Sequence, residues 1–258
     1  MKIFTSLFLL FAFIFNTAHA KMTEKTVEYK QGDTTLEGFL VLPPGKAKKP
    51  AVIIVHEWDG LGDYVKERAR QVAQLGYVAF GADIYGKGVR GKTMEESKAL
   101  STKFKSDRNL MRARINAAFD EISKNPLVDK NKIAVMGYCF GGTTALELAR
   151  SGADLKGTVS FHGGLSTPNK KDAANIKGKV LVLHGADDPA VPAQEVSEFQ
   201  DEMRSAKVDW QLVSYGNTVH AFTNKAVGND PKSPARYNAD SDRRSWVAMV
   251  QFFKEIFQ

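Results

Sequence analysis

Cysteine is almost absent from this sequence: Cys139 stands alone among 258 residues. A single cysteine cannot close a disulfide within the chain, so a small disulfide-stapled scaffold is excluded. Histidine is scarce too, with five copies. There is no internal repeat and no low-complexity stretch, which excludes solenoids and fibrous proteins. After residue 20 no apolar run approaches the roughly 20 residues that a membrane-spanning helix needs. Apolar residues make up 43% and charged residues 25%, ordinary values for a globular chain and not for a disordered one.

The N-terminus reads as a secretory signal peptide over residues 1–20. Lys2 gives a positive start, residues 3–15 are almost wholly apolar, and Ala18-His19-Ala20 offers small residues where a signal peptidase reads. The apolar run is too short to serve as a membrane anchor. The expectation is export, to the periplasm or the medium, with no stable membrane insertion once the signal is gone. The remaining residues, 21–258, suit one domain.

Removing residues 1–20 removes Lys2 alone, leaving 35 of the 36 basic residues against 29 acidic ones. The bases are scattered in small groups, such as Lys46, Lys48 and Lys49 or Lys170 and Lys171. A solvated face explains them; a nucleic-acid partner would need them clustered on one element.

Two β-rich runs, 25–29 and 35–42, flank Gly32-Asp33 and predict a hairpin. From residue 51 the pattern changes. Continuous apolar runs at 51–55, 77–82, 132–136, 158–161 and 179–183 predict strands buried on both faces. Residues 208–214 alternate more and predict a strand nearer an edge. Helical spacing lies between them at 63–75, 107–123, 142–150 and 194–206, with a last helix at 241–257. Strands alternating with helices predict an α/β domain with a mostly parallel sheet and helices on both faces. Such sheets bind ligands beyond the carboxyl ends of their strands.

Those ends carry the chain's polar groups: His56-Glu57-Trp58, Asp83-Ile84-Tyr85, Gly137-Tyr138-Cys139-Phe140-Gly141-Gly142, His162, His184 to Asp188, and His220-Ala221-Phe222. Gly137 to Gly141 matches the nucleophile elbow G-x-S-x-G with cysteine in the serine position, between a buried strand and a helix. A buried, inert thiol is the competing reading. The elbow favours a nucleophile, because its sharp turn needs small residues at Gly137 and Gly141. A helix N-terminus also favours a thiolate.

The elbow's chain order is nucleophile, acid, histidine. Of the four histidines after residue 20, His220 alone follows both Asp187 and Asp188, which makes it the expected base. The acid is one of those two aspartates; the other would bond turn amides. The backbone N–H groups of Trp58 and Phe140 are the expected oxyanion donors. Glu57 is either a carboxylate that exchanges a proton with the thiol or a solvated, ion-paired side chain. Trp58, Tyr85 and Phe222 offer aromatic surface for an apolar pocket. Residues 225–237, rich in Gly, Pro and Asn, form either a loop over the site mouth or a plain surface loop.

With these motifs in place, nearly all of the chain after residue 20 resembles the dienelactone hydrolase family of α/β-hydrolases. The resemblance implies a triad of Cys139, Asp188 and His220; Pro192, four residues after Asp188, selects that aspartate. It implies that Glu57 contacts the resting thiol and helps form the thiolate. It implies no metal and no organic cofactor, and a small-molecule ester or lactone as substrate. Two positions depart from the family. The arginines that hold the carboxylate of dienelactone correspond to Lys87, the expected substrate-binding cation here, and Asn224. Neither offers the two-pronged grip of a guanidinium.

The expected activity is ester or lactone hydrolysis through a thioester on Cys139. Two alternatives stand beside it: a non-catalytic binding protein on the same scaffold, and a thiol redox protein. The latter has no second cysteine to resolve an oxidised form.

Overall fold

The computed structural model describes residues 21–258. The expected signal peptide lies outside the described residues. One eight-stranded sheet organises everything after it. In chain order the strands are β1 (Thr23–Gln31), β2 (Thr34–Leu42), β3 (Lys49–Val55), β4 (Val78–Ala82), β5 (Val128–Tyr138), β6 (Gly157–Phe161), β7 (Lys179–Gly185) and β8 (Trp210–Tyr215). Their order across the sheet is β1-β2-β4-β3-β5-β6-β7-β8. β1 and β2 form the expected hairpin, and β2 meets β4 antiparallel. From β4 to β8 every pairing is parallel.

The helices are α1 (Asp63–Gln74), α2 (Met94–Ser106), α3 (Arg108–Ser123), α4 (Phe140–Arg150), α5 (Ala193–Ser205) and α6 (Ala239–Ile256). They cover both faces of the sheet. In β3, Ala51, Ile53 and Val55 pack with Met111 and Ile115 of α3 and Leu148 of α4. Val52 and Ile54 point the other way, to Val65 and Val72 of α1 and Met249 and Phe253 of α6. The two-residue period of a strand thus explains why its apolar run is unbroken: both faces are covered. α5 closes the remaining corner through Phe199 and Met203 against Val180 and Val182. No helix among the described residues is long and apolar enough to cross a membrane.

α2 is absent from the sequence expectation. Its buried positions are Ser97, Ser101 and Phe104, so it carries no apolar stripe. Its start is nonetheless encoded. Thr93 Oγ1 accepts from Glu96 N–H, and the Glu96 carboxylate accepts from Lys92 N–H, a near relative of the capping box. α4 starts at Phe140, two residues earlier than its spacing predicts, because the helix begins directly behind the elbow.

A buried ion network ties α4 to its neighbours. The fully buried Arg150 guanidinium donates to both carboxylate oxygens of Glu202 on α5 at 2.8 and 2.7 Å, and to Glu147 at 3.1 Å. Arg112 on α3 also pairs with Glu147 at 2.7 Å. A buried charge must be paired in this way to be tolerated. The helix that begins at the elbow is therefore held at its far end.

Candidate active site

The elbow joins β5 to α4. Cys139 takes φ 52° and ψ −116°, a left-handed backbone that costs a non-glycine residue on the order of 1–3 kcal/mol. The glycines around it are there for contact. A Cβ on Gly137 would fall 2.1 Å from Gly141 O. One on Gly141 would fall 2.3 Å from Val55 O and 2.6 Å from His56 O. The first turn of α4 therefore rests on the end of β3, main chain against main chain.

That turn brings the Cys139 sulfur to 3.1 Å from His220 Nε2. His220 Nδ1 lies 2.7 Å from Asp188 Oδ2. The three residues come from the ends of β5, β8 and β7. Asp188 is buried and its other oxygen accepts from Ala190 N–H at 2.8 Å, while Asp187 is exposed. The adjacent acids left open by the residues alone are thus separated by burial and by the histidine contact. Burial alone would discharge the His220 ring. The negative charge at Cys139 and the Asp188 hydrogen bond outweigh it and push the ring's pKa up to about 10.

The end of β3 forms the opposite wall. His56 accepts from Ile84 N–H through Nε2 at 3.2 Å, so its proton sits on Nδ1, which meets Glu57 O at 2.6 Å. Tyr85 OH donates to Trp58 O at 2.9 Å and holds that peptide in place. The Asp83 carboxylate accepts from the N–H groups of Glu37, Tyr85 and Gly86, which makes it a turn organiser. The N–H groups of Trp58 and Phe140 have no hydrogen-bond partner among the described residues.

Glu57 is buried, and its carboxylate accepts from the Asn224 side-chain amide. Burial, the largest influence, pushes its pKa up to about 7, although the Asn224 hydrogen bond pulls it down. The expected contact between Glu57 and the resting thiol is not made. Asn224 holds the carboxylate while His220 holds the sulfur, although both groups face one cavity.

That cavity measures about 300 Å³ and is lined by Cys139, His220, Glu57 and Trp58, with Val191 and Val227 supplying apolar wall. Val227 and Ala235 belong to the segment 225–237, which therefore borders the mouth. Ser101 and Lys105 of α2 complete it. Both were invisible to sequence reasoning because α2 was; the Thr93/Glu96 capping pattern was the available signal.

Three expected substrate contacts need correction. Lys87 stands half-exposed on the outside of the sheet, ion-paired with Glu28, and does not line the cavity. Lys87 N–H donates to Thr35 O at 2.9 Å, which places the residue beside the β1–β2 hairpin. Phe222 is fully buried and packs on His162 and Tyr215. It backs the His162 ring, which in turn meets the His220 ring edge-on. Tyr85 likewise sits behind the wall, against His56 and Phe140, and acts through Trp58.

A strand-end thiol, histidine and aspartate on this sheet order define an α/β-hydrolase. Comparison with known proteins narrows it. The pattern of the dienelactone hydrolase family matches residues 36–257, and the chain belongs to that family. It is a hydrolase of the kind that acts on esters and lactones. A crystal structure of a dienelactone hydrolase-like promiscuous phosphotriesterase from metagenomic libraries is 41% identical, with a TM-score of 0.87 over 92% of this chain and 99% of that one. An uncharacterized protein of Caenorhabditis elegans is 35% identical over 156 residues, 59% of this chain and 98% of its own length. An Aquifex aeolicus protein, provisionally named a carboxymethylenebutenolidase, is 25% identical over 88% of this chain and 96% of its own length.

Proposed function

We propose that the protein hydrolyses a small ester or lactone through a covalent thioester on Cys139. The observation that carries the reading is the continuous contact from the Cys139 sulfur through His220 to Asp188. With its raised pKa, His220 holds the thiol proton in the resting site, and the thiolate attacks the carbonyl carbon. Charge developing on the carbonyl oxygen meets the free N–H groups of Trp58 and Phe140. As the tetrahedral centre collapses, the C–O bond to the alcohol breaks and the leaving oxygen takes the proton from His220. In a lactone that alcohol stays tethered to the acyl group. Water, giving its proton to His220, then attacks the thioester, frees the acid and leaves the thiolate beside the protonated ring. Asp188 keeps the ring in the tautomer that presents Nε2 to the sulfur. No metal or organic cofactor enters this scheme.

The test is intact-protein mass after mixing enzyme with p-nitrophenyl esters. An acyl adduct with nitrophenol release, both lost in Cys139→Ala, is the expected result. Full turnover in that variant would overturn the thioester. A binding protein on this scaffold would give neither adduct nor release, and a redox protein would consume peroxide with an external thiol.

The 41% identical relative named a promiscuous phosphotriesterase favours a second substrate class for the same machinery. The thiolate would attack phosphorus of a dialkyl aryl phosphate and expel the phenol. Phenol release from such a triester, lost in Cys139→Ala, is the expected outcome.

We further propose that residues 1–20 are removed on export, as Lys2, the apolar run and Ala18/Ala20 suggest. N-terminal sequencing of protein recovered outside the cytoplasm should begin at Lys21.

A further inference from the structure

Cys139 holds a backbone conformation that side chains resist, so its surroundings must enforce it. The Cys139 N–H has two acceptors: Phe161 O at 3.0 Å and His162 Nδ1 at 3.1 Å. The second fixes the state of His162. Because Nδ1 accepts, the ring's single proton lies on Nε2. Nε2 lies 2.8 Å from Thr223 Oγ1, which must therefore accept from it. Tyr64 OH meets the same Thr223 oxygen at 2.6 Å. Arg68, which can only donate, gives Nε–H to the Tyr64 oxygen at 3.3 Å. The guanidinium is itself fixed by Asp242 at 2.6 Å and by Thr223 O at 2.9 Å. A consistent polarity runs through the chain: His162 donates to Thr223, and Thr223 turns its own hydroxyl proton to the Tyr64 oxygen, which also accepts from Arg68. His162 and Thr223 are 1% exposed, so no water competes for these bonds.

We propose that His162 is a positioning residue for Cys139, gripping its amide through Nδ1, and that Thr223, with its own proton engaged by Tyr64, keeps His162 in the one tautomer that can do so. The opposite tautomer would set an N–H against the Cys139 N–H, and the elbow would lose an acceptor. Burial, followed by the positive charges of His220 and Arg68, holds the ring neutral, as the grip requires. The His162 ring also packs edge-on to the His220 ring, with centroids 5.3 Å apart. One side chain thus steadies both the sulfur's backbone and the base. The idea rests on Cys139 being the nucleophile.

His162 has φ of 40°, so a plain alanine exchange would mix backbone strain with loss of the acceptor. Two variants separate them. His162→Gly tolerates the backbone and removes the acceptor. His162→Asn tolerates the backbone and keeps an oxygen near the Nδ1 position. In steady-state hydrolysis of a p-nitrophenyl ester, kcat should fall about 30-fold or more in the glycine variant, with KM within about threefold, the signature of a misplaced reacting group. The asparagine variant should recover most of that loss. Equal losses in both, or an unchanged kcat in the glycine variant, would overturn the proposal.

Nitrogen-15 NMR of the wild-type protein needs no variant to fold. It should show His162 protonated at Nε2 and bare at Nδ1, and Thr223→Val should shift that tautomer balance. A wild-type ring protonated at Nδ1 would also overturn the proposal. Failure of the nucleophile reading is told apart by Cys139→Ala: full turnover there discards the thioester, while the NMR tautomer still reports on the His162 grip.

Discussion

The Asn224 side-chain amide donates to the Glu57 carboxylate across 167 positions of sequence, locking the loop after β3 to the loop after β8. This pairing stands where the family resemblance places an arginine, and it changes what Glu57 costs the protein. With an amide partner in place of a cation, burial dominates and the carboxyl's pKa rises to about 7 from 4.5.

A raised carboxyl pKa makes the folded state bind a proton that the unfolded state has released. Stability therefore falls as pH rises between about 4.5 and 7, and the loss is complete above that window. Glu57→Gln keeps the shape and cannot ionise. It should match the wild type at pH 4.5 and be more stable at pH 8.5, by up to about 3 kcal/mol. Denaturant unfolding at the two pH values checks this; a gain of equal size at both would rule out ionisation as the cause.

Asp188→Asn should lower kcat about 10²- to 10⁴-fold while leaving KM close to its starting value, since the ring loses both its orientation and its charge partner. The same change removes one of the influences that raise the His220 pKa, so the ring should titrate below its present value of about 10. Proton NMR of the imidazole against pH measures that shift directly.

Gly137→Ala should damage folding more than chemistry. The new methyl would sit 2.1 Å from the Gly141 carbonyl oxygen, which belongs to main chain and has nowhere to move. A loss of about 3 kcal/mol or more in unfolding free energy is expected. Gly216→Ala, where a Cβ meets nothing within 4 Å, is the control and should change stability little.

Lys105 is the single lysine or arginine that lines the cavity among the described residues. An ester carrying a carboxylate at the far end of its acyl chain should therefore be preferred over a neutral one of equal length. Lys105→Ala should cut that preference in kcat/KM by about three- to tenfold, and 0.5 M salt should erode it in the wild type. An unchanged ratio would show that the ammonium does not reach the substrate.

The sheet was legible in the sequence because a strand covered on both faces is an unbroken apolar run, as in residues 51–55. The elbow was legible because sterics confine glycine to Gly137 and Gly141. α2 was not, since it buries Ser97 and Ser101 beside a single aromatic, Phe104. Chain order pointed to His220 but stopped at a choice between Asp187 and Asp188; Pro192 decided it only through the family resemblance, and in the structure burial and the His220 contact separate the two. Lys87 and Phe222 sit close to strand ends, where position in the chain says nothing about which way a side chain leaves its loop. His162 was seen as a strand-end histidine and set aside. Its partners, Cys139 and Thr223, lie 23 and 61 positions away, and no local pattern announces such a meeting.

Gly141 lies against the carbonyl oxygens of Val55 and His56 with no side chain between the two segments. The spacing of the Trp58 and Phe140 amides is therefore a property of the framework, fixed when α4 docks on β3. Residues around the cavity, from Val191 and Val227 to Lys105, can be exchanged without reaching that gauge. Mutational drift on this chain is free to redraw the range of acids and alcohols accepted while the machinery that breaks the bond keeps its dimensions.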